Sequence, residues 1–270
     1  MLTRRKLGTS ALLAALGFAA RAETQTGESA NVHEHGHDMS NMPASWHGDE
    51  QIVFLGYQGM TALDLIGPQY MLANLMGATV KVAAKSLDPI MTDTGITLVP
   101  DVTFEDAVKD PDVLCIPGGT LGTLDAMRDG ATMEFVRQSG ANAGYVTSVC
   151  TGTLLLGQAG LIDGYRVTSH WITRPMMEQF GAIPVNERVV VDRNRITGAG
   201  VTAGIDFGLM LLARMRDDDY AKGVQLLAEY DPQPPFDAGT PEKAPAHLTE
   251  LLEGMFAVLG ASVSESAAYR

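Results

Sequence analysis

A cysteine stands where a strand-like run gives way to a helical one. Tyr145-Val146-Thr147-Ser148-Val149 is β-rich, Cys150 follows, and Thr151-Gly152 opens the apolar helical pattern Leu154-Leu155-Leu156. Strand, sharp turn and helix in that order describe a nucleophile elbow, with a strong nucleophile at its corner. Unpaired N–H groups at the helix start favour the thiolate there and can hold an anionic intermediate. The plainer alternative is a buried, inert cysteine.

Two further features carry chemistry. Asp64 stands among Leu63, Leu65 and Ile66, ahead of Gly67-Pro68. A carboxylate in an apolar stretch costs free energy unless it is paired or kept protonated by a raised pKa. It reads as a proton donor or acceptor beside the thiol; otherwise it is an N-cap or is bonded to nearby backbone N–H groups. Gly118-Gly119 ends an apolar run through Pro117, and glycine lets the backbone approach a ligand closely. Alone it is a tight turn; with the Thr151 N–H it makes a two-sided oxyanion hole.

The elements that must position these residues alternate from residue 51 onward. Strand-like runs cover 52–57, 79–84, 112–116, 145–149 and 166–168, with 188–191 and 195–197 flanking an Asp192-Arg193-Asn194 turn. Helical patterns cover 61–75, 121–127, 133–142, 202–214, 218–229 and 244–259, and 94–100 is hairpin-like. Continuous apolar strands, each followed by a helix, predict an α/β domain whose parallel sheet is covered on both faces. Ligands bind such sheets at the carboxyl ends of the strands, where Asp64, Gly118 and Cys150 fall.

The chain has 270 residues, 46% of them hydrophobic, enough for one core and a single domain expected over 50–260. Residues 1–22 read as an export signal: Arg4-Arg5-Lys6, an apolar run over 11–20, then Ala20-Arg21-Ala22. The paired arginines suggest the twin-arginine route and an exported, periplasmic protein. That run is too short to anchor in a bilayer, and no later run reaches about 18 uncharged apolar residues, so no stable membrane association is expected. Removing those residues takes four of 19 basic residues and none of 32 acidic ones, moving the net charge from -13 to -17. Such a surface argues against nucleic-acid partners and leaves a small-molecule substrate.

Residues 23–49 read as a disordered linker and 261–270 as a flexible tail. The linker holds His33, His35 and His37, with Met39, Met42 and His47. These could bind Cu or Zn weakly, but the expectation is a solvated low-complexity segment that holds no metal. The other cysteine, Cys115, lies in Val113-Leu114-Cys115-Ile116 and reads as a core residue without a disulfide to Cys150.

Several of these runs match a known family. Leu63-Asp64-Leu65-Ile66-Gly67-Pro68, Ile116-Pro117-Gly118-Gly119-Thr120 and Thr147-Ser148-Val149-Cys150-Thr151-Gly152 resemble the ThiJ/PfpI superfamily. Ser169-His170-Trp171, the run over 196–207 and the run over 229–236 narrow the resemblance to the isonitrile hydratase group. The resemblance covers about 51–258 and implies a flavodoxin-like, class I glutamine amidotransferase-like sandwich, commonly a homodimer. It implies cofactor-independent hydration of an isonitrile to an N-substituted formamide. In that chemistry Cys150 attacks the terminal carbon, Asp64 moves the proton, and Thr151 holds the intermediate or the water. Ile66 and Trp171 are expected near the mouth. His170 follows the next strand, where this scaffold can place a thiol activator, and is read as either a pocket residue or a structural histidine. Glutamine hydrolysis would need an acid where Ile172 stands, and protease-like relatives carry His where Thr151 stands. A C-terminal helix-turn-helix like that of regulatory relatives is not expected. The alternatives are a glyoxalase- or deglycase-like enzyme, and a thiol redox sensor.

Overall fold

The computed structural model describes residues 42–257, 259–260 and 262–263. The expected export signal and the His33, His35 and His37 motif lie outside the described residues. Within them, the apolar runs form a seven-stranded sheet. Its strands are β1 (Gln51–Leu55), β2 (Thr79–Ala84), β5 (Val102–Thr103), β6 (Val113–Ile116), β7 (Tyr145–Val149), β10 (Val189–Asp192) and β11 (Arg195–Gly198). They run in the order β10-β11-β7-β6-β1-β2-β5, parallel except for the β10–β11 hairpin. The register places Ile52 beside Val80 and Val113, and Ser148 beside Ile116 and Thr197.

From β1 the chain moves one way across the sheet to β2, and from β6 the other way to β7. Right-handed crossovers therefore put the connecting helices on opposite faces. One group is α1 (Ala62–Leu72), α5 (Ala203–Met215) and α6 (Asp218–Leu227); the other is α2 (Leu121–Arg128), α3 (Gly130–Asn142) and α4 (Gly152–Gln158). With both faces covered, β6 and β11 are buried along their whole length. Phe54, Leu114, Ile116, Leu154 to Leu156, Phe180 and Phe207 fill the core. The fold is the expected α/β sandwich.

Some pieces differ from the sequence reading. The segment over 166–168 does not join the main sheet: β8 (Arg166–Val167) pairs with β9 (Ile183–Pro184) across a 3-10 turn, Arg174–Phe180. The hairpin is β3 (Ile90–Met91) with β4 (Thr97–Leu98), so it starts earlier than expected. Within the linker expected over 23–49, the described residues include a short 3-10 turn, Ala44–Trp46, that packs on the domain. Trp46 packs edge-on against Tyr220, 5.0 Å between ring centres, and its Nε1 donates to Asp217. At the other end, α7 (Ala246–Met255) leads into Leu259 and Val263, both buried, so packing extends past residue 261.

Candidate active site

Parallel strands bring the carboxyl ends of β1, β6, β7 and β11 to one edge of the sheet, and each delivers one part of the site. After β7 the chain turns through Cys150 with φ 59°, the left-handed region that a residue with a Cβ enters at a cost. Two bonds hold that turn: the Cys150 N–H donates to Gly198 O (3.1 Å), and Ser169 Oγ donates to Cys150 O (2.8 Å). The strand–turn–helix corner is thus a strained elbow, closed by β11 on one side and by the segment after β8 on the other.

After β1 the chain enters α1 at Thr61, and Asp64 falls in the first turn, 1% exposed. Its Oδ2 accepts from the Gly118 N–H at 2.9 Å, while Oδ1 has no hydrogen-bond partner. Burial raises its pKa to about 7, against opposing contributions from Gly118 and the Cys150 thiol. The carboxyl is thus bonded to backbone, as one reading of the sequence had it, and its raised pKa is what a proton carrier beside the thiol would need.

The thiol departs from expectation. Cys150 is 5% exposed, and burial first, then the neighbouring Asp64, push its pKa well above the ordinary value. The N–H groups of Thr151 and Val201 pull the other way and do not win. A helix start of seven residues cannot offset desolvation beside a carboxylate, so the resting cysteine is a thiol.

The glycine turn also has a different task. A Cβ at Gly118 would lie 2.6 Å from Thr151 N and Oγ1 and 2.8 Å from Asp64 Oδ2, so only glycine fits. The N–H groups expected to form an oxyanion hole are already engaged, Gly118 with Asp64 and Gly119 with Thr151 Oγ1 at 2.9 Å. They position the carboxyl and the hydroxyl. The donors that face the sulfur are the Thr151 and Val201 N–H groups.

Thr151 is correspondingly committed. Its hydroxyl oxygen accepts from the N–H groups of Gly119 and Thr120, so its proton goes to Thr123 Oγ1 at 2.8 Å. Thr123 then donates to Tyr57 (3.1 Å), whose hydroxyl donates to Pro117 O (2.8 Å). A buried, directional chain therefore fixes the loop after β6 against the elbow.

His170 is half-buried, its ring 5.8 Å from Trp171 and 6.2 Å from Phe256. Its Nδ1 accepts from the Ile172 N–H at 3.4 Å, and burial, with the charge of Arg174, lowers its pKa and keeps it neutral. The side chain whose charge bears on the thiol is Asp64, while His170 shares the cavity lining with Cys150.

The elbow opens on a cavity of about 480 Å³, and Asp64, Gly118 and Gly119 lie behind its lining. Cys150, Thr151 and His170 line it, together with Leu63, Ile66 and Phe256; Trp171, expected near the mouth, does not. Sequence reasoning missed Asp93 on the β3–β4 hairpin, Val201, and the Phe256 and Leu259 contributions. Val201 had a signal, the glycine-rich run over 198–204; Asp93 had none. Among the described residues no cluster of three metal-ligating side chains occurs.

Comparison with known proteins fits this geometry. The model of the DJ-1/PfpI family matches residues 50–214. Isonitrile hydratase of Pseudomonas putida is 47% identical over 200 residues, 74% of this chain and 87% of that protein. A ThiJ/PfpI family protein from Pseudomonas syringae superposes with a TM-score of 0.83 at 50% identity, covering 87% of this chain and 98% of that one. Drosophila melanogaster DJ-1beta shares the fold, with a TM-score of 0.62 at 19% identity over 68% of this chain and all of that one.

Proposed function

Because the chain belongs to the DJ-1/PfpI family, we propose that it hydrates isonitriles to N-substituted formamides, with Cys150 as nucleophile and Asp64 as proton carrier. The observation that carries this reading is the Asp64–Cys150 pair, both buried, with Cys150 at a strained elbow that lines the cavity and Asp64 directly behind it. An isonitrile carbon becomes electrophilic when proton transfer accompanies attack, and a thiol beside a carboxyl of pKa about 7 supplies both partners. The 47% identity to an isonitrile hydratase over most of both chains supports the same substrate class.

The steps balance. Sulfur bonds to the terminal carbon while the thiol proton, passed through Asp64, reaches that carbon, giving the thioimidate R–N=CH–S–Cys150. Asp64 then takes a proton from water as the water oxygen adds to the same carbon, and passes that proton to nitrogen to give R–NH–CH(OH)–S–Cys150. The tetrahedral intermediate expels sulfur, leaving R–NH–CHO, and the thiol regains its proton. The Thr151 and Val201 N–H groups stabilise negative charge on sulfur in the first and last steps. The Gly118 N–H on Asp64 and the Gly119 N–H on the Thr151 hydroxyl hold the reacting pair in place.

Residues 1–22 support a twin-arginine export signal, which sets the reaction outside the cytoplasm; cell fractionation and the mature N-terminus, expected at Glu23, test it. The chemistry is tested by following N-cyclohexylformamide from cyclohexyl isonitrile with the chain from Glu23, beside Cys150→Ala and Asp64→Asn. Product that disappears in both variants is the expected result. No product from the folded wild type, with methylglyoxal consumed instead, would replace this reading by a reactive-carbonyl activity.

A further inference from the structure

The cavity wall carries a charge that the hydration chemistry does not use. The β3–β4 hairpin docks on the loop before α1: Gly59 N–H donates to Met91 O, and Asp93 N–H to Met60 O, at 2.8 and 3.0 Å. The Gln58 side chain bonds both Met91 N and Pro89 O. Asp93 is thereby held over the start of α1, its Oδ2 accepting from Thr61 Oγ1 at 2.6 Å, and both residues line the cavity with Cys150.

We propose that Asp93 is the charge filter of this cavity, admitting uncharged or cationic electrophiles with an apolar substituent and turning away those bearing a carboxylate. No Lys or Arg is among the described residues lining it, and the neutral His170 offers no counter-charge. Arg174 acts on His170 from outside that lining. The apolar substituent has a place against Leu63, Ile66, Ile96 and Phe256. The field of Asp93 reaches the reacting pair, since it is one of the charges raising Asp64. Asp93 is itself exposed to solvent, which limits the discrimination to about three- to tenfold at low salt and less at high salt.

The inference deepens the proposed function but can be tested without it. Alkylation of Cys150 is followed by mass spectrometry with iodoacetamide, which is neutral, and iodoacetate, which is anionic. Asp93→Asn keeps an acceptor for Thr61 and removes the charge; Asp88→Asn removes a charge that does not line this cavity. Asp93→Asn is expected to raise the iodoacetate rate about three- to tenfold over that of iodoacetamide, an effect that shrinks in about 1 M salt. Asp88→Asn is expected to leave the ratio unchanged. A ratio unmoved by Asp93→Asn, or moved equally by Asp88→Asn, would overturn the filter. Failure of isonitrile turnover, by contrast, would sink the proposed reaction and leave this ratio as it stands.

Discussion

Keeping a proton on a carboxyl group near neutral pH is a cost to the fold, and Asp64 carries it. With its pKa raised to about 7, the folded chain keeps a proton that the unfolded chain releases near pH 4. Stability therefore falls as pH rises through that window, and the cost is complete above about pH 7, on the order of 4 kcal/mol. Asp64→Asn, which still accepts from Gly118, should melt above the wild type at about pH 8, with the gap closing towards about pH 4. The same titration shapes the rate. The reactive form of the pair holds one proton between thiol and carboxyl, so kcat/KM should fall as pH drops through about 7. A pH–rate profile checks this, and in Asp64→Asn any residual activity should lose that limb. The pair was legible in the sequence because an acid among Leu63, Leu65 and Ile66, and a cysteine at a strand–helix corner, are both costly placements. The resting thiol was not legible, because burial and the approach of Asp64 are tertiary facts.

Elements were legible in proportion to the burial they achieve. β6, apolar on both faces, reads directly from sequence, whereas β5, β8 and β9, two residues each, are too short to show a period. The docking of Trp46 escaped because one aromatic in a polar stretch gives no pattern; Trp46→Ala should cost about 1–2 kcal/mol in urea unfolding. The turn between β6 and α2 shows how a loop sets chemistry. Gly118→Ala forces a methyl group against Thr151 and Asp64, so those two must separate. Activity should fall about 100-fold, with a loss of stability of about 1–3 kcal/mol. Gly223 in α6 has nothing within 4 Å of an added Cβ, and Gly223→Ala should instead stabilise by about 0.5–1 kcal/mol with activity intact. Equal activity losses in the two variants would mean that the turn does not position the pair.

At the scale of the molecule, the apolar surface around the mouth has no partner within the described chain. Leu63, Ile66 and Tyr70, spaced three and four apart on α1, are 40%, 38% and 45% exposed, and Met210 of α5 is 40% exposed. Leu63 and Ile66 also line the cavity, so the exposed stripe runs into the site. Contiguous apolar surface of this kind marks an association face on a folded protein. We propose that two copies meet across α1, a homodimer in which each copy shields the other's mouth. A second stripe, Leu248, Leu251, Leu252 and Met255 on α7, competes for that role, and a pair of charge substitutions separates the two. Tyr70→Glu should halve the mass seen by light scattering and raise KM for a neutral substrate, because the mouth loses its cover. Leu251→Glu should leave both mass and KM near wild type. The reverse pattern would move the interface to α7, and a monomeric wild type would leave the α1 stripe to a partner of different sequence.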